Sequence, residues 1–235
     1  MFHQKLVFLL GGLGNQLWLA AYAHYLIENG YHVRIDTSWY HRFSGLFFGK
    51  SRLRRQSYAS LISSVVPNAI FSCSIVSLLR LRIISFCRYL FPVDIFDRFL
   101  YRQDDCYVAD SFLISLSAAL DQCVSFSSDH KAYLASMTAL HLRLGDRGHS
   151  LSDEETFALK QLLISLPSTE SLLLFSDNPL EAFDIVTSLS SCIVQIAPNY
   201  ADDLHSLFAM SLCKSRVSVR PSTFLEWSQK ISSFV

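Results

Sequence analysis

Ala139-Leu-His-Leu-Arg-Leu-Gly-Asp146 is the stretch on which the reading of the whole chain turns. Ala139, Leu140, Leu142 and Leu144 have the apolar continuity of a buried strand, and His141, Arg143 and Asp146 arrive as polar groups at its carboxyl end. Ligands of open α/β sheets bind outside the carboxyl ends of the strands, where loops and helix amino termini converge. An arginine leaving such a strand meets a phosphate with two parallel charge-assisted hydrogen bonds. Taken alone, the same residues fit a surface salt bridge equally well.

The sequence downstream favours the ligand reading. Ser152-Asp-Glu-Glu155 fits a capping box opening a helix that Pro167 ends. Ser171 to Phe175 reads as a second buried strand, followed by the polar run Ser176-Asp-Asn178 and a helix opened by Pro179. A strand at Ile193 to Ile196, a helix near Asp203 to Leu212, a strand at Arg216 to Val219 and a last helix from about Ser222 follow. Strands alternating with helices imply a parallel sheet. Three polar strand ends would then share one edge: His141/Arg143/Asp146, Ser176/Asp177/Asn178 and Arg220-Pro-Ser-Thr-Phe224. Ser222 and Thr223 would stand at a helix amino terminus, which stabilises a phosphate, and the Asp177 carboxylate matches the N1–H and amino hydrogens of guanine.

The amino terminus repeats the theme. Lys5 to Leu10 reads as a first buried strand, not a signal peptide, because a short apolar run continues into glycines where a cleavage site would stand. The spacing predicts a helix over Asn15 to Asn29, capped by Asn15 and stopped by Gly30, then a strand at Tyr31 to Ile35. The loop Gly11-Gly-Leu-Gly-Asn-Gln16 is no dinucleotide fingerprint, since Leu17 replaces the third glycine, and it lacks a Walker lysine. A tight turn with bare N–H groups facing a helix start remains, and it suits an anion.

With 51% hydrophobic and 17% charged residues, the 235-residue chain is greasier than an average soluble protein, and its formal charge of +0 gives no global attraction for nucleic acid. Six cysteines without CxxC or zinc-ligand spacing read as free thiols in a reducing cytoplasm. Residues 37 to 135 are less regular. Trp39 to Arg55 is aromatic and basic, and Ile70 to Phe91 is an apolar stretch carrying Arg80, Arg82 and Arg88, the composition of a helix lying in a membrane surface. The plainer reading is an internal helix with a solvated basic edge. A polar stretch between Ser125 and Ser136 divides the chain into an N-terminal Rossmann-like domain with a basic-aromatic insertion, 1–130, and a C-terminal one, 131–235.

The chain carries four motifs in order: Gly11-Gly-Leu-Gly-Asn-Gln16, His141-Leu-Arg-Leu-Gly-Asp146, Phe175-Ser-Asp-Asn178 and Ser222-Thr-Phe-Leu-Glu-Trp227. With Met210-Ser-Leu-Cys213-Lys, they resemble the motifs of α-1,2-fucosyltransferases of glycosyltransferase family 11. The resemblance covers both ends and most of the carboxyl-terminal half, and departs where Leu144 replaces a second arginine and Leu225-Glu226 interrupts an aromatic ending. It implies an α/β fold of GT-B type, two Rossmann-like domains facing a central cleft, and inverting transfer of L-fucose from GDP-fucose to O2 of a galactose-containing glycan. It further implies that Arg143 grips the donor diphosphate, with Asn15 beside it in the catalytic set. Asp146, the third member of that set, reads either as a general base or as the group that orients Arg143, and the orienting role is the one expected. Gly12, Gly14, Gln16, His141, Asp177, Ser222, Thr223 and Phe224 would bind the nucleotide sugar. No DxD triplet occurs, so the resemblance implies metal-independent activity. A cytoplasmic enzyme at the inner face of a bacterial membrane, with a lipid-linked acceptor, would give residues 39–91 a purpose. A GT-B enzyme using another nucleotide sugar, or a non-catalytic nucleotide- or glycan-binding relative, would carry the same loops.

Overall fold

The computed structural model describes residues 4–40, 56–87, 102–144, 151–198, 200 and 202–235, and of 84–87 the backbone only. The chain divides into two compact units, residues 1–119 and 120–235. Each is an α/β unit around a parallel sheet, the fold class read from the sequence.

The first unit holds β1 (Gln4–Phe8), β2 (His32–Asp36) and β3 (Ile70–Ser72), side by side in that order and all parallel. Helix α1 (Leu13–Glu28) returns the chain from β1 to β2, and ten of its residues are buried, from Leu13 to Leu26. Its stop is as expected: Gly30 takes φ +80, its N–H reaches Ile27 O, and the Tyr31 N–H reaches Leu26 O, a Schellman arrangement that satisfies the last carbonyls.

Its start is not. Helix α1 begins at Leu13, with extended Gly12 as its cap, and Asn15 lies inside the first turn. Gly12 needs no side chain for this role, because its carbonyl already accepts the first helical bond, from the Gln16 N–H at 3.0 Å.

The apolar stretch from Ile70 breaks in two instead of forming one helix. Ile70–Ser72 pairs with β2, and Ser74 then stops the strand: its N–H bonds Ser38 Oγ, and its hydroxyl caps the next helix by accepting the Ser77 N–H. The helices α2 (Ala59–Val65) and α3 (Ile75–Cys87) belong to this unit. The expected aromatic-basic run His41 to Arg55, with Arg88 and Phe91, lies outside the described residues. Among the described residues no helix is long and apolar enough to cross a membrane.

Helix α4 (Asp110–Val124) carries the chain across the division between the units. The second unit contains α5 (Ser128–Ser136), β4 (Thr138–His141), α6 (Asp153–Ser165), β5 (Ser171–Phe175), α7 (Pro179–Leu189), β6 (Ile193–Ile196), α8 (Asp203–Leu212), β7 (Ser215–Ser218) and α9 (Thr223–Ile231). The strands lie parallel in the order β6-β5-β4-β7. Alternation along β4 and β5 builds a core on each side. Leu140, Leu142, Leu172 and Leu174 pack with Leu159 and Leu163 of α6 and Ala182 and Val186 of α7. Ala139, Leu173 and Phe175 pack with Leu134 of α5 and Ala209 and Met210 of α8. A parallel sheet covered on both faces has to be apolar on both, which is why these strands read as near-continuous hydrophobic runs.

Candidate functional site

Beyond His141 the β4 segment stays in line without remaining a regular strand. The Leu142 N–H still bonds Phe175 O at 2.9 Å, but the Leu144 N–H is taken at 2.7 Å by Asp177 Oδ1. A side chain thus replaces the backbone ladder and holds the segment that carries Arg143. Leu144 is buried in the core with Leu140 and Leu142, so the position that carries a second arginine in the family resembled is here a packing residue.

The strand order makes the β4/β7 boundary a topological switch point: the chain moves outward from β4 to β5 and β6, then crosses back to lay β7 on the other side of β4. In doubly wound sheets that crevice is where ligands bind. Exposed Arg143 follows β4 on one side of it, and the amino terminus of α9 follows β7 on the other. Ser222 caps α9, accepting the Phe224 N–H at 3.2 Å, and Thr223 is the first helical residue. Phe224 lies in the first turn, its ring stacked on His141 with centroids 5.8 Å apart and planes at 26°.

Two residues lock the crevice walls together. Ser218 Oγ donates to His141 O at 2.7 Å. Arg220 Nη1 donates to Arg143 O at 2.7 Å, while its Nε and Nη2 donate to Glu155 Oε1 and Oε2 at 2.5 and 2.6 Å. Glu155 is also the far end of the capping box with Ser152 that opens α6. The Arg220 fork, followed by the Ser152 backbone N–H, holds the Glu155 carboxyl down to about 2. Arg220 therefore ties the connection after β7 to both ends of the connection between β4 and α6. Its place before the Pro-Ser-Thr run was visible in the sequence; its partners were not.

His141 is half-buried, with Nδ1 enclosed and without a hydrogen-bond partner among the described residues. Burial, then the nearby Arg143 charge, push its pKa down to about 4 against the opposing pull of Asp177. The ring is neutral at physiological pH, and the sign of the stability effect follows. Between 6.5 and about 4 the unfolded chain binds the proton and the folded chain does not, so stability is lost as pH falls through that window. At about 1.4 kcal/mol per pH unit the loss reaches up to about 3 kcal/mol. Urea unfolding at several pH values should show this slope in the wild type and a flattened one in His141→Phe, which keeps a ring against Phe224. Equal slopes would sink the assignment. The contribution of Glu155 lies lower, between 4.5 and about 2, and should survive in the variant.

The glycine loop of the first unit is organised from within. Gly11 takes φ +77, and a Cβ there would stand 2.7 Å from Asn15 Nδ2. Its carbonyl accepts Tyr40 Oη at 2.6 Å and Gln16 Nε2 at 3.1 Å. Gln16, fully buried, spends its amide on the fold: Nε2 also reaches Gln56 O at 2.9 Å, and Oε1 accepts the Tyr58 N–H at 2.9 Å. Asn15 Oδ1 accepts Gln103 Nε2 at 3.0 Å. Gly14 is buried in the first turn of α1, whereas a Cβ on Gly12 would meet no atom within 4 Å, leaving its backbone approachable. Of the residues singled out from the sequence, His141, Arg143, Asp177, Ser222, Thr223 and Phe224 share the carboxyl edge of the second sheet, and Gly12, Gly14, Asn15 and Gln16 share the loop of the first unit. Asp146 lies outside the described residues. Among the described residues no group of three or more His, Cys, Asp or Glu is placed to hold a metal ion.

No protein-family model matches the chain, and no curated protein matches it. Among solved structures it is similar to a NodZ α-1,6-fucosyltransferase co-crystallised with GDP, at 15% identity and a TM-score of 0.42, over 97% of this chain and 92% of that one. A NodZ crystal soaked with GDP-fucose aligns at 15% identity and a TM-score of 0.37, over 97% and 93%. Likeness at this level carries no argument for the ligand or the reaction.

Proposed function

We propose that the chain is an inverting glycosyltransferase that moves L-fucose from GDP-fucose to a hydroxyl, O2 of galactose in the family its motifs resemble, of a glycan acceptor. The observation that carries the reading is the pairing of Arg143 with the amino terminus of α9 across the switch point between β4 and β7. A fork of donors and a helix dipole on either side of one crevice match a diphosphate.

In this reading Arg143 holds the diphosphate, and the Ser222 and Thr223 hydroxyls with the first N–H groups of α9 meet its other side. Neutral His141 lines the crevice against Phe224, and Asp177 fixes the Arg143 segment through Leu144. When the sugar–oxygen bond breaks, charge develops on GDP, and donors already in place stabilise the transition state more than the ground state. An arginine and a helix end then supply the positive charge, which makes metal-independent transfer the expectation. Asp146 serves as the partner that orients Arg143, and the glycine loop of the first unit, with backbone-accessible Gly12 and Asn15, is a second turn suited to an anion.

The test is a thermal-shift titration with GDP, UDP and ADP, with and without EDTA. GDP should stabilise the protein by about 2.7 kcal/mol at a hundredfold excess over Kd, with EDTA making no difference. Stabilisation by UDP or ADP and not GDP would remove the fucosyl assignment.

A further inference from the structure

Helix α3 presents two faces. Ser77, Leu78 and Leu81 are buried against the first unit. On the opposite face Ile75, Val76, Leu79 and Ile83 are exposed, each by at least 50%. At about 100° per residue these four fall within one arc of about 100°. Arg82 lies just outside one margin of that arc and Arg80 just outside the other, and both are exposed. The apolar surface continues onto the sheet, where Ile70 is 60% exposed and Leu6 39%. Leu6, Arg34 and Ile70 are partners in the strand register and stand on the same face. An exposed apolar stripe of this width belongs in contact with something apolar, yet 13 residues rise only about 20 Å and cannot span a bilayer.

We propose that this face lies on an anionic bilayer surface, with α3 parallel to the membrane plane. Charge decides the occupant. The apolar stripe is bordered by guanidinium groups on both sides, which reach headgroup phosphates while their stems and the stripe sit deeper. Beside it, Lys5, Arg34 and Arg80 line a cleft of about 320 Å³ that Val76 and Leu6 also border. The acid in that cleft, Asp36, is buried and accepts the Ser38 N–H at 2.9 Å. The Lys5 ammonium lies 5.0 Å from the centre of the Tyr31 ring and stays at the surface. A second copy docked face to face would set these cations against one another, which costs free energy that an anionic surface instead returns. The proposal does not depend on the donor reading.

Vesicle sedimentation of the full chain tests it, using phosphatidylcholine alone and phosphatidylcholine containing phosphatidylglycerol, at low and high salt. The wild type should pellet with the anionic vesicles, less so at high salt, and not with phosphatidylcholine alone. Arg80→Gln with Arg82→Gln should weaken partitioning on the order of fivefold per arginine removed. Leu79→Asp with Ile83→Asp, both at exposed positions, should abolish it while circular dichroism and the melting temperature stay near wild type. Three outcomes overturn the proposal: no pelleting at low salt, equal pelleting of the aspartate variant, or equal binding to phosphatidylcholine alone. A wild-type dimer by light scattering that becomes a monomer on Ile83→Asp also overturns it, by assigning the face to a second copy.

Discussion

Arg143→Ala is expected to lower fucosyl transfer from GDP-fucose on the order of a hundredfold or more, the scale on which a positioned transition-state donor acts. The side chain is exposed, and the backbone beneath it is held independently: Arg220 Nη1 binds its carbonyl and Asp177 binds the next N–H. Truncation should therefore leave the fold and the melting temperature close to wild type. The loss should fall mainly on kcat, because charge on the GDP leaving group is greatest in the transition state. Arg143→Lys separates charge from geometry, since it keeps one positive centre but loses the planar fork, and should recover only part of the rate. Initial rates with a galactosyl acceptor and a metal-free buffer give both numbers. Near-wild-type turnover in the alanine variant would remove Arg143 from the chemistry and with it the reason for reading the crevice as a donor site. A protein that binds GDP and shows no turnover in any form would be a binder that kept the fold.

What the sequence disclosed about this region depended on how local the determinants are. The capping box Ser152 to Glu155, Pro179 at a helix start and the apolar run Ser171 to Phe175 are set by neighbours a few residues away, and each is found where the pattern placed it. The order β6-β5-β4-β7 follows from alternating strands and helices once one crossover reverses direction, and that reversal brings Arg143 and Ser222 to one crevice. Contacts across long sequence separations were not legible. Arg220 gripping Glu155, 65 residues away, leaves no periodic trace, and the Glu155 side chain already had a sufficient local explanation. Asp177 offered two acceptor oxygens to a guanine in the sequence reading, and one of them is in use on Leu144 N–H. Asn15 read as a cap because caps usually need a side chain, whereas Gly12 with bare backbone sufficed. The run from Ile70 read as one helix because periodicity cannot show that Arg34 and Ile35 would claim Ile70 and Phe71 as strand partners.

The same long-range logic gives Gln16 its expected effect. Its position in the glycine loop motif suggests a ligand contact, yet its amide is enclosed and joins the loop carbonyl of Gly11 to Gln56 and Tyr58 at the entry to α2. Both amide hydrogens and the oxygen are engaged. Gln16→Ala removes a fully buried side chain, and with it the acceptor it offers the Tyr58 N–H and the donor it offers the Gln56 carbonyl, while Gly11 O keeps Tyr40 Oη. Cavity and desolvation terms together put the cost at about 4 kcal/mol, with the first unit bearing it. Urea unfolding followed by the Trp18 and Trp39 fluorescence of that unit is the measurement. Gln16→Glu, nearly the same shape, should be rescued only weakly, because its carboxylate can accept the Tyr58 N–H but would face two carbonyls where the amide donated. A loss below about 1 kcal/mol in the alanine variant would mean that solvent replaces the amide without strain. The loop would then be free to take its shape from a bound donor instead of holding that shape in advance.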